Sequence, residues 1–157
     1  MGRRGGERER KVLARNRQAR FEYEILERLE AGIQLLGSEV KSAREGRVNL
    51  KEAHVRFEGG EAFLVGCHIS PYPNAGYAGH EPTRPRKLLL HRRQIHRLAG
   101  KAREKGQTVI PLQMYLDGNW IKVEIALVRG KRLHDKRETL RRRTLEREAA
   151  AAMKGNL

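Results

Sequence analysis

A single cysteine, Cys67, rules out an internal disulfide and any zinc site built on several cysteines of this chain. Aromatic residues are scarce, at 5%, so the core must be packed mainly with aliphatic side chains. No apolar run approaches the ~20 residues of a membrane-spanning helix. The opening MGRRGGERERK lacks the apolar stretch of a secretion signal. Together these absences predict a soluble protein of a reducing, cytoplasmic compartment. Acidic residues are also in short supply: 19 stand against 34 Lys and Arg, a formal charge of +15 over 157 residues. That length fits one domain of about 100–200 residues. A pI near 10.7 calls for a polyanionic partner: nucleic acid, ribosome or an anionic membrane surface.

The charge is unevenly placed. Residues 1–20 carry eight bases and two acids, and residues 129–157 carry ten and four. Both ends are poor in large apolar side chains, so burial there cannot offset the entropy of ordering. The simplest organisation is a flexible basic arm over 1–15, a compact folded unit over 16–130 and a basic tail over 131–157. Within the unit, Arg84 to Lys105 holds nine bases and one acid, Glu104, which predicts a strongly positive face.

The middle reads mostly as strands. Ile110, Leu112, Met114 and Leu116 alternate with Pro111, Gln113 and Tyr115, and Ile121, Val123, Ile125 and Leu127 alternate again after Asp117-Gly118-Asn119. Period-2 runs around a D-G turn predict a hairpin. Pro111 cannot donate to a ladder, so it marks an edge or a bulge. Val55 and Phe57, Gly59-Gly60, then Phe63, Val65, Cys67 and Ile69 predict a second hairpin. Tyr23 with Ile25, and Ile33 with Leu35, suggest two more short strands. Ser38 is placed to cap a short helix ending near Gly46. Ile95, Leu98, Ala99 and Ala102 form the apolar stripe of a longer helix from about Arg92 to Lys105. The fold predicted is mainly β with short helices: an OB-like antiparallel β-barrel with two helices and a basic C-terminal tail. The proline-rich stretch 70–85 reads as a long loop, whose Tyr72 and Tyr77 either stack on bases or pack beneath it.

Catalytic chemistry is missing from the sequence. Gly100-Lys101 and Gly130-Lys131 lack the rest of a phosphate-binding loop. His91 and His96 are five apart, which misses the i, i+4 ligand face of a helix, and His68 and His80 are scattered. Cys67 fits the inward side of a strand. We therefore expect binding without catalysis, and no metal or cofactor.

Several blocks of sequence are more specific. EAGIQLLGSEVKSAR over 30–44, NRQAR over 16–20, HISP over 68–71, RPRKLLL over 84–90 and GKRLHDKRE over 130–138 occur in this order. Collinear over roughly 16–154, they resemble the small protein B family, the SsrA-binding proteins that partner tmRNA in bacterial trans-translation. The resemblance implies an OB-like barrel bound to the tRNA-like end of tmRNA and delivery of alanyl-tmRNA to stalled ribosomes. It further implies that the barrel stands where an anticodon arm would be, near the decoding centre of the small subunit. The tail, disordered when free, would become helical in the empty mRNA channel. Elongation factor Tu with GTP would accompany the complex, and no membrane would be involved. A generic basic RNA-binding or ribosome-associated OB-fold protein is the alternative that composition alone allows.

Carried over by position, the resemblance assigns tmRNA contact to Asn16, Glu30, Leu89 and Lys122, with Arg20, Lys41, Arg84, Arg86 and Lys87 beside them. Lys and Arg would neutralise phosphates. Asn16 would bond a base edge or ribose, and Leu89 would pack on an exposed base or sugar. Glu30 would accept from a base amino group or 2′-hydroxyl, or orient a neighbouring Arg, unless it is merely paired with Lys41 or Arg28. Ribosome contact falls to Lys131, Arg132, His134, Asp135, Lys136, Arg137, Arg141, Arg142 and Arg143 of the tail. Phe21 stands where many members have His, leaving either a decoding-centre contact or packing in the barrel.

Overall fold

The computed structural model describes residues 10–73, 79–131 and 140–150. Nine strands and three short helices run in the order β1 (Arg10–Arg15), α1 (Ala19–Glu22), β2 (Tyr23–Ile33), α2 (Gly37–Arg44), β3 (Val48–Asn49), β4 (His54–Glu58), β5 (Glu61–Val65), β6 (His68–Ile69), β7 (Arg86–Leu89), α3 (Arg92–Ala102), β8 (Gln107–Asp117) and β9 (Trp120–Gly130). Residues 140–150 are also helical. Seven strands form one antiparallel sheet in the order β1-β8-β9-β2-β7-β5-β4. The sheet curls until β4 lies near β8, giving an OB-like barrel that is not closed by hydrogen bonds between its edge strands β1 and β4.

Both predicted hairpins form. Asp117 pairs with Trp120 across Gly118-Asn119, with Gly118 at φ 62. Glu58 pairs with Glu61 across Gly59-Gly60, whose φ values of 59 and 77 are those of a type I′ turn. Pro111 marks a bulge: the β8–β9 register shifts between Pro111 and Gln113. The freed carbonyls meet Asn16, whose N–H donates to Leu112 O at 2.8 Å and whose Nδ2 donates to Pro111 O at 3.0 Å.

Several expectations need correction. Tyr23 to Ile33 is one eleven-residue strand, and Leu35 lies outside it. The strand expected to run through Cys67 breaks at Gly66 (φ 78), where a Cβ would lie 2.7 Å from Glu52 O. Beyond the break, β6 leaves the main sheet to pair with β3. Residues 10–15 are not part of a flexible arm, because β1 pairs with β8 and buries Leu13. Ser38 does not cap α2. Leu36 is the N-cap, its N–H donating to Glu39 Oε1 at 2.7 Å, while Ser38 Oγ pairs with His80 Nδ1.

The barrel core is aliphatic, as composition required: Leu50, Leu64, Ile69, Leu88, Leu98, Val109, Met114, Val123 and Ile125 are buried together. Each such side chain contributes about 1.5–3 kcal/mol by leaving water. Cys67 lies in this core, and burial pushes its thiol up to about 11, so it is an inert core residue. A second, smaller cluster lies outside the first: Ala19 of α1 packs on Ile110, Ala126 and Val128, flanked by Tyr23, Ile25 and Leu112. This cluster seats α1 on the sheet.

Candidate RNA-binding surface

Strand register brings the candidate residues onto one sheet face. Glu30 lies opposite Glu124, Gly32 opposite Lys122, and Lys122 opposite Tyr115. Two carboxylates face to face repel, and the surrounding charges answer this. Lys122 Nζ is 3.0 Å from Glu30 Oε1, and Arg10 Nη2 is 3.7 Å from Glu30 Oε2. The Tyr115 hydroxyl donates to Glu30 Oε2, while the Arg10 guanidinium lies 5.1 Å from the Tyr115 ring centre. Partial burial alone would raise the Glu30 carboxyl; hydrogen bonds from Tyr115 and Lys122 outweigh it and hold the group below its ordinary value. Burial, then the Glu30 carboxylate, push the Tyr115 phenol above its ordinary value, so it stays a donor. Glu30 is therefore ionised and fixed. Its partners are Lys122, Arg10 and Tyr115, and neither Lys41 nor Arg28, the alternative pairing, is among them.

Leu89 completes this face. It pairs with Gly32, and a Cβ on that glycine would come within 3.1 Å of Leu89 Cβ. Leu88 is buried and Leu89 is 48% exposed, so alternation along β7 presents Leu89 outward. Glu30, Lys87, Leu89 and Lys122 line an open groove of about 940 Å³. Lys87 also pairs with Glu61 at 2.9 Å. His91, Arg92, Gln94 and His96 from the start of α3 line the same groove. These four lie in the segment expected to form a positive face but were not among the assigned tmRNA contacts; burial of Ile95 and Leu98 turns the polar side of α3 outward.

A second hollow, of about 350 Å³, adjoins on the same face, which Arg28 shares with Glu30 along β2. Arg15, Arg17, Arg20 and Arg28 ring it over a floor of Ala19, Ile25 and Leu112. None of these four arginines has an ion-pair partner among the described residues. Asn16 lines this hollow with its Nδ2 committed to the β8 bulge, which leaves its Oδ1 for a ligand.

Three assigned residues lie in another setting. Arg86 is wholly buried: its Nε donates to Glu39 Oε2 at 2.6 Å, its Nη1 to Cys67 O at 2.7 Å and its Nη2 to Pro82 O at 3.0 Å. Its donors are spent inside the protein, so the assignment of Arg86 to RNA contact is corrected to a structural one. Arg84 shares the same carboxylate, Nη2 lying 2.6 Å from Glu39 Oε1. Burial would raise Glu39, but hydrogen bonds from Arg84, the Leu36 N–H and Arg86 hold it below its ordinary value. Lys41, exposed on α2, lies 5.5 Å from the Tyr72 ring centre, which places Tyr72 against the protein; Tyr77 lies outside the described residues. His80, which the sequence showed only as a scattered histidine, bridges Ser38 Oγ and Ile69 O at 2.8 Å each.

In the tail, the Lys131 N–H donates to Glu22 O at 3.1 Å, and Arg132, His134, Asp135, Lys136 and Arg137 lie outside the described residues. Arg141 and Arg142 are exposed on the helical segment, and the Arg143 guanidinium lies 5.8 Å from the Phe21 ring centre. Phe21 belongs to neither hydrophobic cluster, so it does not pack in the barrel.

A family model described as SmpB protein matches residues 13–155. The chain belongs to this family. It is 56% identical over 145 residues to the SsrA-binding protein of Gloeothece citriformis, covering 92% of this chain and 94% of that protein. With the SsrA-binding protein of Gloeobacter violaceus it shares 52% identity over 149 residues, covering 95% and 98%. A chain in a solved structure described as "tmRNA-SmpB: a journey to the center of the bacterial ribosome" is 47% identical. The two superpose with a TM-score of 0.66, over 82% of this chain and 94% of that one. The sequence blocks that suggested an SmpB-family chain thus sit on an SmpB-like fold.

Proposed function

We propose that this chain binds tmRNA and acts with it in trans-translation on ribosomes. Membership of the SmpB family supports the activity, and the meeting of Glu30, Leu89 and Lys122 in one groove is the observation that carries the site. Lys122 and Lys87 neutralise phosphates, with Arg15, Arg17, Arg20 and Arg28 doing so on the adjoining hollow. Leu89 offers an apolar surface to an unstacked base or sugar. Glu30, held by three donors, fixes Lys122 and Arg10 and keeps lone pairs free for a base amino group or a 2′-hydroxyl. Asn16 offers its Oδ1 to a base or ribose from the second hollow.

The finer reading follows the resemblance. The bound barrel stands in for an anticodon arm near the decoding centre of a stalled ribosome, and the tail enters the empty mRNA channel. Lys131, Arg132, His134, Asp135, Lys136, Arg137, Arg141, Arg142 and Arg143 meet ribosomal RNA there. Residues 140–150 are already helical in the chain by itself, so this part of the tail would enter the channel as a formed helix. Elongation factor Tu with GTP accompanies the complex, the hydrolysis belongs to that factor, and the site of action is the cytoplasm. The chain itself performs no catalysis. Capture of RNA from bacterial lysate on the immobilised protein tests the reading: one structured RNA of a few hundred nucleotides, identified by sequencing as tmRNA, should dominate. Indiscriminate recovery of RNA would instead mean a generic basic binder.

A further inference from the structure

Trp120 is the most exposed large apolar side chain among the described residues, at 70%. It is also the only tryptophan of a chain with few aromatics. Single exposed apolar residues are common on protein surfaces, so exposure alone assigns nothing. Its position is more informative. Trp120 begins β9 directly after the tight turn, and alternation along that strand places it on the same face as Lys122, about 7 Å away at the rise of a strand. It pairs with Asp117, whose other strand neighbour is Arg10. Arg10 and Lys122 are the two cations that flank Glu30. The indole thus stands at the end of the row formed by Arg10, Tyr115, Glu30 and Lys122.

Among the described residues no polar or cationic partner engages this indole. It makes no hydrogen bond or cation–π contact with any described residue, and it belongs to neither hydrophobic cluster. The nearby acid does not spoil the site for an anion, because Asp117 is buried with Oδ2 turned to Lys122 at 3.8 Å. An accessible flat π-surface beside cations that suit a phosphate backbone is the arrangement with which proteins hold unpaired nucleotides.

We propose that Trp120 is a further RNA-binding residue, its indole stacking on an unpaired nucleobase of the RNA strand that Lys122 and Arg10 hold by its phosphates. This rests on the tmRNA reading and extends that surface past the β8–β9 turn. The two cations in that row, Arg10 and Lys122, favour RNA over an apolar protein partner at this spot.

The single tryptophan supplies its own reporter. The full-length chain is titrated with tmRNA, following indole emission and mobility shift in parallel. Emission should change with the same midpoint as the mobility shift. Trp120→Ala should weaken binding roughly tenfold, the scale of one lost base stack, whereas Trp120→Phe should retain most of the affinity. Both variants should keep the thermal unfolding midpoint. Normal tmRNA binding with unchanged emission, and Trp120→Ala binding as tightly as the parent, would overturn the role of Trp120 and leave the RNA reading standing. Emission that changes with protein concentration in the absence of RNA would assign the indole to contact between copies, against this proposal. Failure of the parent chain to bind tmRNA would remove the reading on which the proposal rests.

Discussion

Arg86 Nε lies 2.6 Å from Glu39 Oε2, and neither side chain has any solvent exposure. The pair ties α2 to β7, while the remaining donors of Arg86 hold the carbonyls of Cys67 and Pro82. A buried ion pair gains little over well-packed apolar residues, but losing one partner strands the other. Arg86→Ala should therefore cost about 3–5 kcal/mol. Thermal denaturation checks this, and an unchanged midpoint would return Arg86 to the surface.

Acid should attack the same pair. The folded Glu39 carboxyl lies below its ordinary value of 4.5, so its contribution to stability is complete above that pH and is lost as pH falls through the lower folded value. Urea unfolding below pH 4.5 should show the parent chain losing stability more steeply than Glu39→Gln, which has no carboxyl to protonate there. Equal slopes would exclude Glu39 as the group responsible.

Affinity for tmRNA should fall steeply with salt. Neutralising about six phosphates predicts a drop on the order of 10³-fold between 50 and 200 mM. Filter binding across that range measures the slope, and a flat response contradicts a surface built on Lys and Arg.

Glu30 and Lys122 should act as a unit. Lys122→Ala should weaken tmRNA binding roughly tenfold with little change in thermal midpoint, since the lysine is partly exposed and its loss seldom costs more than ~0.5 kcal/mol. Glu30→Gln should weaken binding in the parent, yet add little once Lys122 is gone. Independent, additive losses in this double-mutant cycle would mean that Glu30 touches RNA without acting through Lys122.

Truncation after Gly130 should leave the barrel and most tmRNA binding intact, because residues 140–150 are helical but contribute to neither core. Peptide tagging on stalled ribosomes should be abolished. Tagging by the truncated chain would refute the role given to the tail.

How much of this was legible depended on range. The hairpins at Gly59-Gly60 and Gly118-Asn119 were readable because alternation and turn residues lie side by side. Outward Leu89 and buried Leu88 followed from the same period of two once the strand was known. Arg86 was not readable as structural, since its carboxylate partner stands 47 residues earlier and only the fold brings them together. Ser38 misled because the true cap is the carboxylate of its neighbour Glu39 reaching back to Leu36. β1 was hidden by its own charges: Arg10, Lys11 and Arg15 disguise a strand whose inward residue is Leu13.

Those charges have a second consequence. As the last strand of the sheet, β1 leaves one row of backbone donors and acceptors without a strand partner among the described residues, a template on which another chain could add. A second copy docking there edge to edge would bring Arg10, Lys11 and Arg15 against their own counterparts. The same positive charge that attracts a polyanion thus guards the open edge against aggregation.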